Sequence, residues 1–239
     1  MNNTLANGLA LLGFLSRTAE SFGVSTLAAE LKLPKSHVHR LLQTLVATGY
    51  AVQEGDRRYR IGLRPLEVSS ALLHHLPLRA AALPVLHRLS KVTGLDALVS
   101  IPHDGAGLII GVVYPDGHQG DPSATIGTRL AVGSTATGNL FAACIPGFSR
   151  SSLPSRALVE LRRTRFAVKD PAMSETFNGM AALVGDPAGP VHGALGLAGP
   201  SEPFRRVFDR RAGKSRQSRA EIESGFADFP FRRRERKRH

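Results

Sequence analysis

The chain has 239 residues, 42% of them apolar, and a formal charge of +12 from 31 Lys/Arg against 19 Asp/Glu. That length accommodates one small and one medium domain, each with its own core, while a lone cysteine, Cys144, excludes an intrachain disulfide. No apolar run reaches the roughly 20 residues of a membrane span, and the N-terminus lacks a basic start followed by a signal core, so a cytoplasmic protein is expected.

The charge is uneven. Residues 1–76 hold 8 Lys/Arg against 5 Asp/Glu, residues 77–204 hold 10 against 9, and residues 205–239 hold 13 against 5. The high pI therefore reflects the C-terminal tail, which can bind any polyanion without sequence preference and is weak evidence about the folded part. Its charge and low apolar content predict disorder over 205–239.

Leu5, Leu9, Leu12 and Leu15 recur at helical spacing, predicting a first helix over about residues 4–20 that Gly23 ends. Ser25 is a candidate N-cap for a short second helix over Thr26–Leu31, and LKLP makes the turn into a third. The third helix, Leu33 to Thr48, gathers Val38, Leu41, Leu42, Leu45 and Val46 on one side; Ser36, Arg40 and Gln43 lie on the other, flanked by His37 and His39. Pro34 suits its first turn and Gly49 the residue past its end. A short polar face with a central cation matches a helix laid into a major groove, where Arg reads guanine edges and Ser or His reaches bases or phosphates. An amphipathic helix with a merely solvated face would carry the same pattern.

Tyr50-Ala51-Val52 and Arg58-Tyr59-Arg60-Ile61 flank the polar turn Gln53-Glu54-Gly55-Asp56-Arg57, a β-hairpin signature. With Tyr59 and Ile61 inward, Arg58 and Arg60 point outward on a wing where they could meet phosphate. The expected DNA-contact set is therefore Ser25, Lys35, Ser36, His37, His39, Arg40, Gln43, Arg58 and Arg60.

Farther along, a helical pattern from Leu78 to Thr93 ends at Gly94, with Pro84 inside it as a start or a bend. Ala97–Ile101 and Leu108–Tyr114 read as strands around the turn HDGAG; DGHQGDPSATIG reads as a loop. In IGTRLAVGSTATGNLFAACIP, Ser134 or Thr135 would cap a helix opening with Ala136, Thr137 and Gly138. Free N–H groups at such an opening favour an anion, although Gly138 could equally serve close packing. Residues 151–165 carry a basic helix.

The stretch VSTLAAELKLPKSHVHRLLQTLVATGYAVQEGDRRYRIGLRPLEVSSALL resembles the winged helix-turn-helix of the isocitrate lyase regulator (IclR) family of bacterial transcription factors, through LPKS-x-x-x-RLL-x-x-L, the following GY and the wing exit Y-x-x-G-x-x-x-L. IGTRLAVGSTATGNLFAACIP, FAVKDPAMSETFNGMAALV and PVHGALGLAGP resemble effector-domain segments of that family, so the likeness spans roughly residues 5–204. It implies an α+β fold: a winged helix-turn-helix over 1–64, a linker helix over 65–77, and a profilin- or GAF-like effector domain with an antiparallel sheet over 78–204. It also implies a homodimer or homotetramer on palindromic operator DNA, and a small organic effector, a carboxylate or an aromatic compound. The implied pocket residues are Ala136, Thr137, Gly138, Asp170, Met180, Gly196 and Ala198.

Four departures stand out. His37 replaces the family threonine, Met180 is where the pocket cysteine is expected, Gly196 and Ala198 replace serines, and the stretch between Pro146 and Phe166 is short. A pocket without those hydroxyls should take a less oxygen-rich or bulkier ligand, or none; a regulator with a vestigial effector domain is the competing reading, and a non-DNA small-molecule binder or enzyme a third.

No catalytic or metal motif emerges. Gly133-Ser134-Thr135-Ala136 is not a nucleophile elbow, His37/His39 and His74/His75 lack the i, i+4 spacing of zinc ligands on a helix, and neither a phosphate-binding loop nor a dinucleotide fingerprint is present. No cofactor or metal is expected, and Cys144, set in FAAC, reads as a small hydrophobe.

Overall fold

The apolar repeat of the first segment folds into three helices, α1 (Asn3–Leu15), α2 (Val24–Leu31) and α3 (Lys35–Ala47). Leu11, Leu15, Leu27, Val38, Leu41 and Leu42 converge with Ala51 and Tyr59 in one buried cluster. In this computed structural model the described residues are 2–117, 124–149, 153–169, 177–185, 189–202 and 204, and the chain divides into two units, Met1–His75 and Leu76–His239.

Helix α1 stops at Leu15, earlier than its periodicity predicts. Ser16 turns the chain by donating its N–H to Leu12 O and its hydroxyl to Gly13 O, and Phe22 then exchanges two 2.8 Å backbone hydrogen bonds with Tyr59. That bridge keeps the backbone extended through Gly23, which takes the cap position of α2 with φ −77° and ψ 154°. Ser25 is therefore an exposed first-turn residue and not the cap. Helix α3 starts two residues later than expected, at Lys35, with Pro34 as its cap. It ends as its sequence implies: Gly49 takes φ +78°, its N–H reaches Val46 O, and Tyr50 N–H reaches Leu45 O at 2.8 Å, which satisfies two orphan carbonyls.

The wing pairs β1 (Ala51–Gln53) antiparallel with β2 (Tyr59–Ile61). Tyr59 points into the core and Arg60 to solvent, as alternation requires. Helix α4 (Arg64–His74) follows with Pro65 in its first turn; it buries no residue, and Leu63, Leu66, Val68 and Leu72 are all exposed.

The second unit is built on a six-stranded sheet in which every pairing is antiparallel. Its strands are β3 (Asp96–His103), β4 (Ala106–Val113), β5 (Arg129–Leu130), β6 (Phe166–Val168), β7 (Phe177–Gly185) and β8 (Val191–Pro200), in the order β5-β4-β3-β8-β7-β6. Among its described residues it also holds the helices α5 (Pro77–Thr93), α6 (Ala136–Cys144) and α7 (Ser155–Thr164). Pro84 sits inside α5 without ending it, and Gly94 closes that helix at φ +66°.

Helices α5 and α6 cover opposite faces of the sheet. Leu78 of α5 lies over Gly193 of β8, whereas Ala181 of β7, which pairs with Gly196, packs against Ala136 and Leu140 of α6. In β4, Ile110 is an extra residue between the pairs Val99↔Gly111 and Ser100↔Ile109. The bulge reverses which side chains face which helix, so Gly107 lies under Thr137 and Phe141 of α6 while Gly111 lies under Arg79 of α5.

Candidate nucleic-acid interface and effector cavity

Packing of Val38, Leu41 and Leu42 into the core leaves Lys35, Ser36, His39, Arg40 and Gln43 exposed on the other side of α3. His37 differs from them. It is half-buried, and its Nε2 lies 3.2 Å from Asn7 Nδ2 on α1. Since the amide nitrogen can only donate, the ring nitrogen accepts, and the imidazole is tied down between helices.

The wing separates its cations more sharply than alternation does. The Arg58 guanidinium donates to the Ser21 hydroxyl at 3.1 Å and to the Ser21 carbonyl, and stands 3.6 Å from Asp56. Arg60 Nε donates to Glu54 Oε1 at 2.9 Å. The Ser21 hydroxyl and the Arg60 guanidinium together hold the Glu54 carboxyl below its ordinary range. Both arginines are outward, but Arg60 is tied within the hairpin, and Arg58 to Asp56 and to Ser21 ahead of α2. The residue that alternation passes over is Arg57, exposed at the tip with φ +63° and without an acidic partner among the described residues. Lys35 and Arg40 likewise have no ion-pair partner among them. Glycine is the usual occupant of such a backbone, so the sequence offered only the turn itself as a signal.

The second unit contains a cavity of about 400 Å3, a size suited to a small organic molecule. Its floor is the α6 face of the sheet, where Leu98, Ile109 and Ala198 cluster, and its walls include Leu130, the start of α6 and Lys169. Thr135 caps α6, its hydroxyl accepting the Gly138 N–H at 3.0 Å. The cap occupies one of the N–H groups expected to be free, leaving those of Ala136 and Thr137 nearest the cavity.

The expected pocket residues divide. Ala136, Thr137, Met180 and Ala198 line the cavity, while Gly138 and Gly196 do not. A Cβ on Gly138 would stand 2.3 Å from Ala131 O, so this glycine serves close packing; one on Gly196 would stand 2.9 Å from Leu98 Cδ1, so that its missing side chain seats Leu98. Register adds the direction of the Met180 side chain. Met180 pairs with Leu197, one step out of phase with Ala181, so its side chain leaves from the face opposite α6. Gly179, paired with Ala198, takes the cavity-facing position, and a Cβ there would meet only Leu197 O at 3.6 Å. Asp170 and the tail 205–239 lie outside the described residues.

Cys144 is half-buried against Leu161 O, and burial pushes its thiol up. Among the described residues, no cluster of His, Cys, Asp and Glu stands ready for a metal, and no helix is long and apolar enough to cross a membrane.

A family model for the IclR helix-turn-helix domain matches residues 4–55. The glycerol operon regulatory protein of Streptomyces griseus is 30% identical over 224 residues, covering 83% of this chain and 85% of that protein. The chain belongs to the IclR family. It is thus an IclR-type transcriptional regulator, with a helix-turn-helix unit followed by an antiparallel-sheet unit. Solved IclR structures share the fold at low identity. The Brucella abortus regulator superposes with a TM-score of 0.74 at 19% identity, covering 95% of this chain and 92% of that one. An IclR homolog of Microbacterium hydrocarbonoxydans, solved with 4-hydroxybenzoate, gives 0.74 at 17% identity, covering 95% and 98%.

Proposed function

We propose that this IclR-type protein is a cytoplasmic, non-enzymatic regulator that binds a palindromic operator through residues 1–64, is joined by a linker helix over 65–77, and takes a small organic effector in 78–204. The observation that carries the DNA reading is the exposed polar face of α3, with Lys35 and Arg40 free of acidic partners among the described residues. Arg40, Gln43, Ser36 and His39 contact bases or phosphates; Lys35 and Arg57 contact phosphate; His37 positions the helix, and Arg58 and Arg60 brace the wing.

One such helix reads few base pairs, so two copies act together on half-sites about 34 Å apart or a multiple of it. Leu5 and Leu9 of α1 are 62% and 60% exposed, and α4 presents Leu66 and Leu72; these apolar positions support pairing through the first unit. The cavity supports the effector reading, as does the 4-hydroxybenzoate held by a relative of the same fold. A ligand acts by binding one arrangement of the two copies better than another.

The test is an electrophoretic shift of the purified full chain on its own upstream region, with and without small organic acids. Retardation of that duplex over random competitor, altered by one of the acids, is expected; indifference to sequence at modest salt would overturn the DNA assignment.

A further inference from the structure

Lys169 continues the line of β6, its N–H donating to Gly179 O at 2.8 Å, and lies two residues beyond Ala167, which packs toward α6. Alternation sends its side chain to that same face, where it lines the cavity. Next to it, Gly179 presents no side chain and Ala198 only a methyl, so a trough runs from the lysine toward Leu98 and Ile109. A second cation among the described lining residues, Arg129, already donates to Asp104 O at 2.7 Å. The Lys169 ammonium is half-buried and has no hydrogen-bond or ion-pair partner among the described residues, and no Asp or Glu is among the described residues that line the cavity.

A half-buried cation loses part of its hydration, and an anion brought to it restores the loss through a charge-assisted hydrogen bond. We infer that Lys169 is the specificity-determining residue of this cavity, and that it selects a monocarboxylate whose hydrocarbon body lies over Leu98, Ile109 and Ala198. The floor carries no hydroxyl at Gly179 or Ala198, so the part of the ligand that rests there is apolar; the hydroxyl residues Thr128, Ser134, Thr135 and Thr137 line the cavity elsewhere. This inference rests on reading the cavity as the effector site.

The experiment titrates the full-length protein with acetate, hexanoate, benzoate and 4-hydroxybenzoate, and with the neutral amide of each, by calorimetry and thermal shift. At least one carboxylate should bind about tenfold or more tightly than its amide, a margin near 1.4 kcal/mol. Lys169→Met should erase that margin while leaving amide binding unchanged, and Lys169→Arg should retain it. Gly179→Leu, which fills the trough, should abolish binding of both series without loss of operator binding. Equal binding of acids and amides by the wild type, or an intact preference in Lys169→Met, would overturn the role of Lys169 alone. Failure of every compound to bind, or binding unaffected by Gly179→Leu, would reject the cavity as the effector site and the inference with it.

Discussion

His37 Nε2 on the recognition helix accepts from Asn7 Nδ2 on α1 at 3.2 Å. The bond fixes the rotation of α3 about its own axis relative to the helix behind it, and so the direction in which Arg40 and Gln43 leave the protein. His37→Ala should lower unfolding stability by about 0.5 to 1.5 kcal/mol, the usual net worth of such a bond. Operator affinity should fall with little change in sequence preference, as measured by urea denaturation and by binding to single-base operator variants. A switched base preference would instead return His37 to the reading set.

Arg40→Ala should cost about 1 to 3 kcal/mol of operator binding and relax selectivity at one base position, if the guanidinium grips a base edge in bidentate fashion. Competition titrations against single-base variants decide this. An equal loss on all sequences would make Arg40 a phosphate contact.

On the wing, Arg57→Ala should reduce the dependence of log K on log salt by about one unit. Arg58→Ala, which removes the tie to Ser21 and Asp56, should chiefly loosen the hairpin. Glu54→Gln frees Arg60 and should steepen the salt dependence instead. Salt-titrated binding isotherms separate the three.

Acid should loosen the same tie. The folded Glu54 carboxyl titrates below its ordinary 4.5. Its contribution to the wing is thus complete above that value and fades as pH falls through the lower, folded one. Chemical-shift titration of the hairpin amides should show that loss in the wild type and not in Glu54→Gln.

Two glycines of the second unit should respond oppositely to alanine. Gly138→Ala forces a methyl onto Ala131 O and should destabilise by about 1 to 3 kcal/mol. Gly179→Ala has open space and ordinary backbone, and should be neutral or stabilising by about 0.4 to 1 kcal/mol. Urea unfolding of both variants measures the contrast.

These contrasts mark where sequence stops informing. The burial of Val38, Leu41 and Leu42, the Gly49 helix end and the Tyr59-inward hairpin are local consequences of period and turn chemistry, and all were legible. Alternation correctly set Arg58 and Arg60 outward, yet it carries no information about distant partners such as Ser21. The pairing of β3 with β8 joins Asp96 to Ala198 across the chain, and no local pattern encodes it. The same blindness to register left Gly179 out of the expected pocket, although it lines the cavity beside Met180. Ser25 lost the cap because a bridge from Phe22 to Tyr59 decided where α2 begins.

Gly179 gives the cavity floor an adjustable tile. Whatever side chain stands there changes the shape offered to a guest while the strands beneath keep their hydrogen bonds, whereas at Gly138 or Gly196 any enlargement is transmitted into the scaffold. Ligand shape and structural integrity are thereby governed by different glycines, and a lineage can change the guest this cavity accepts by a single replacement without relearning how to fold.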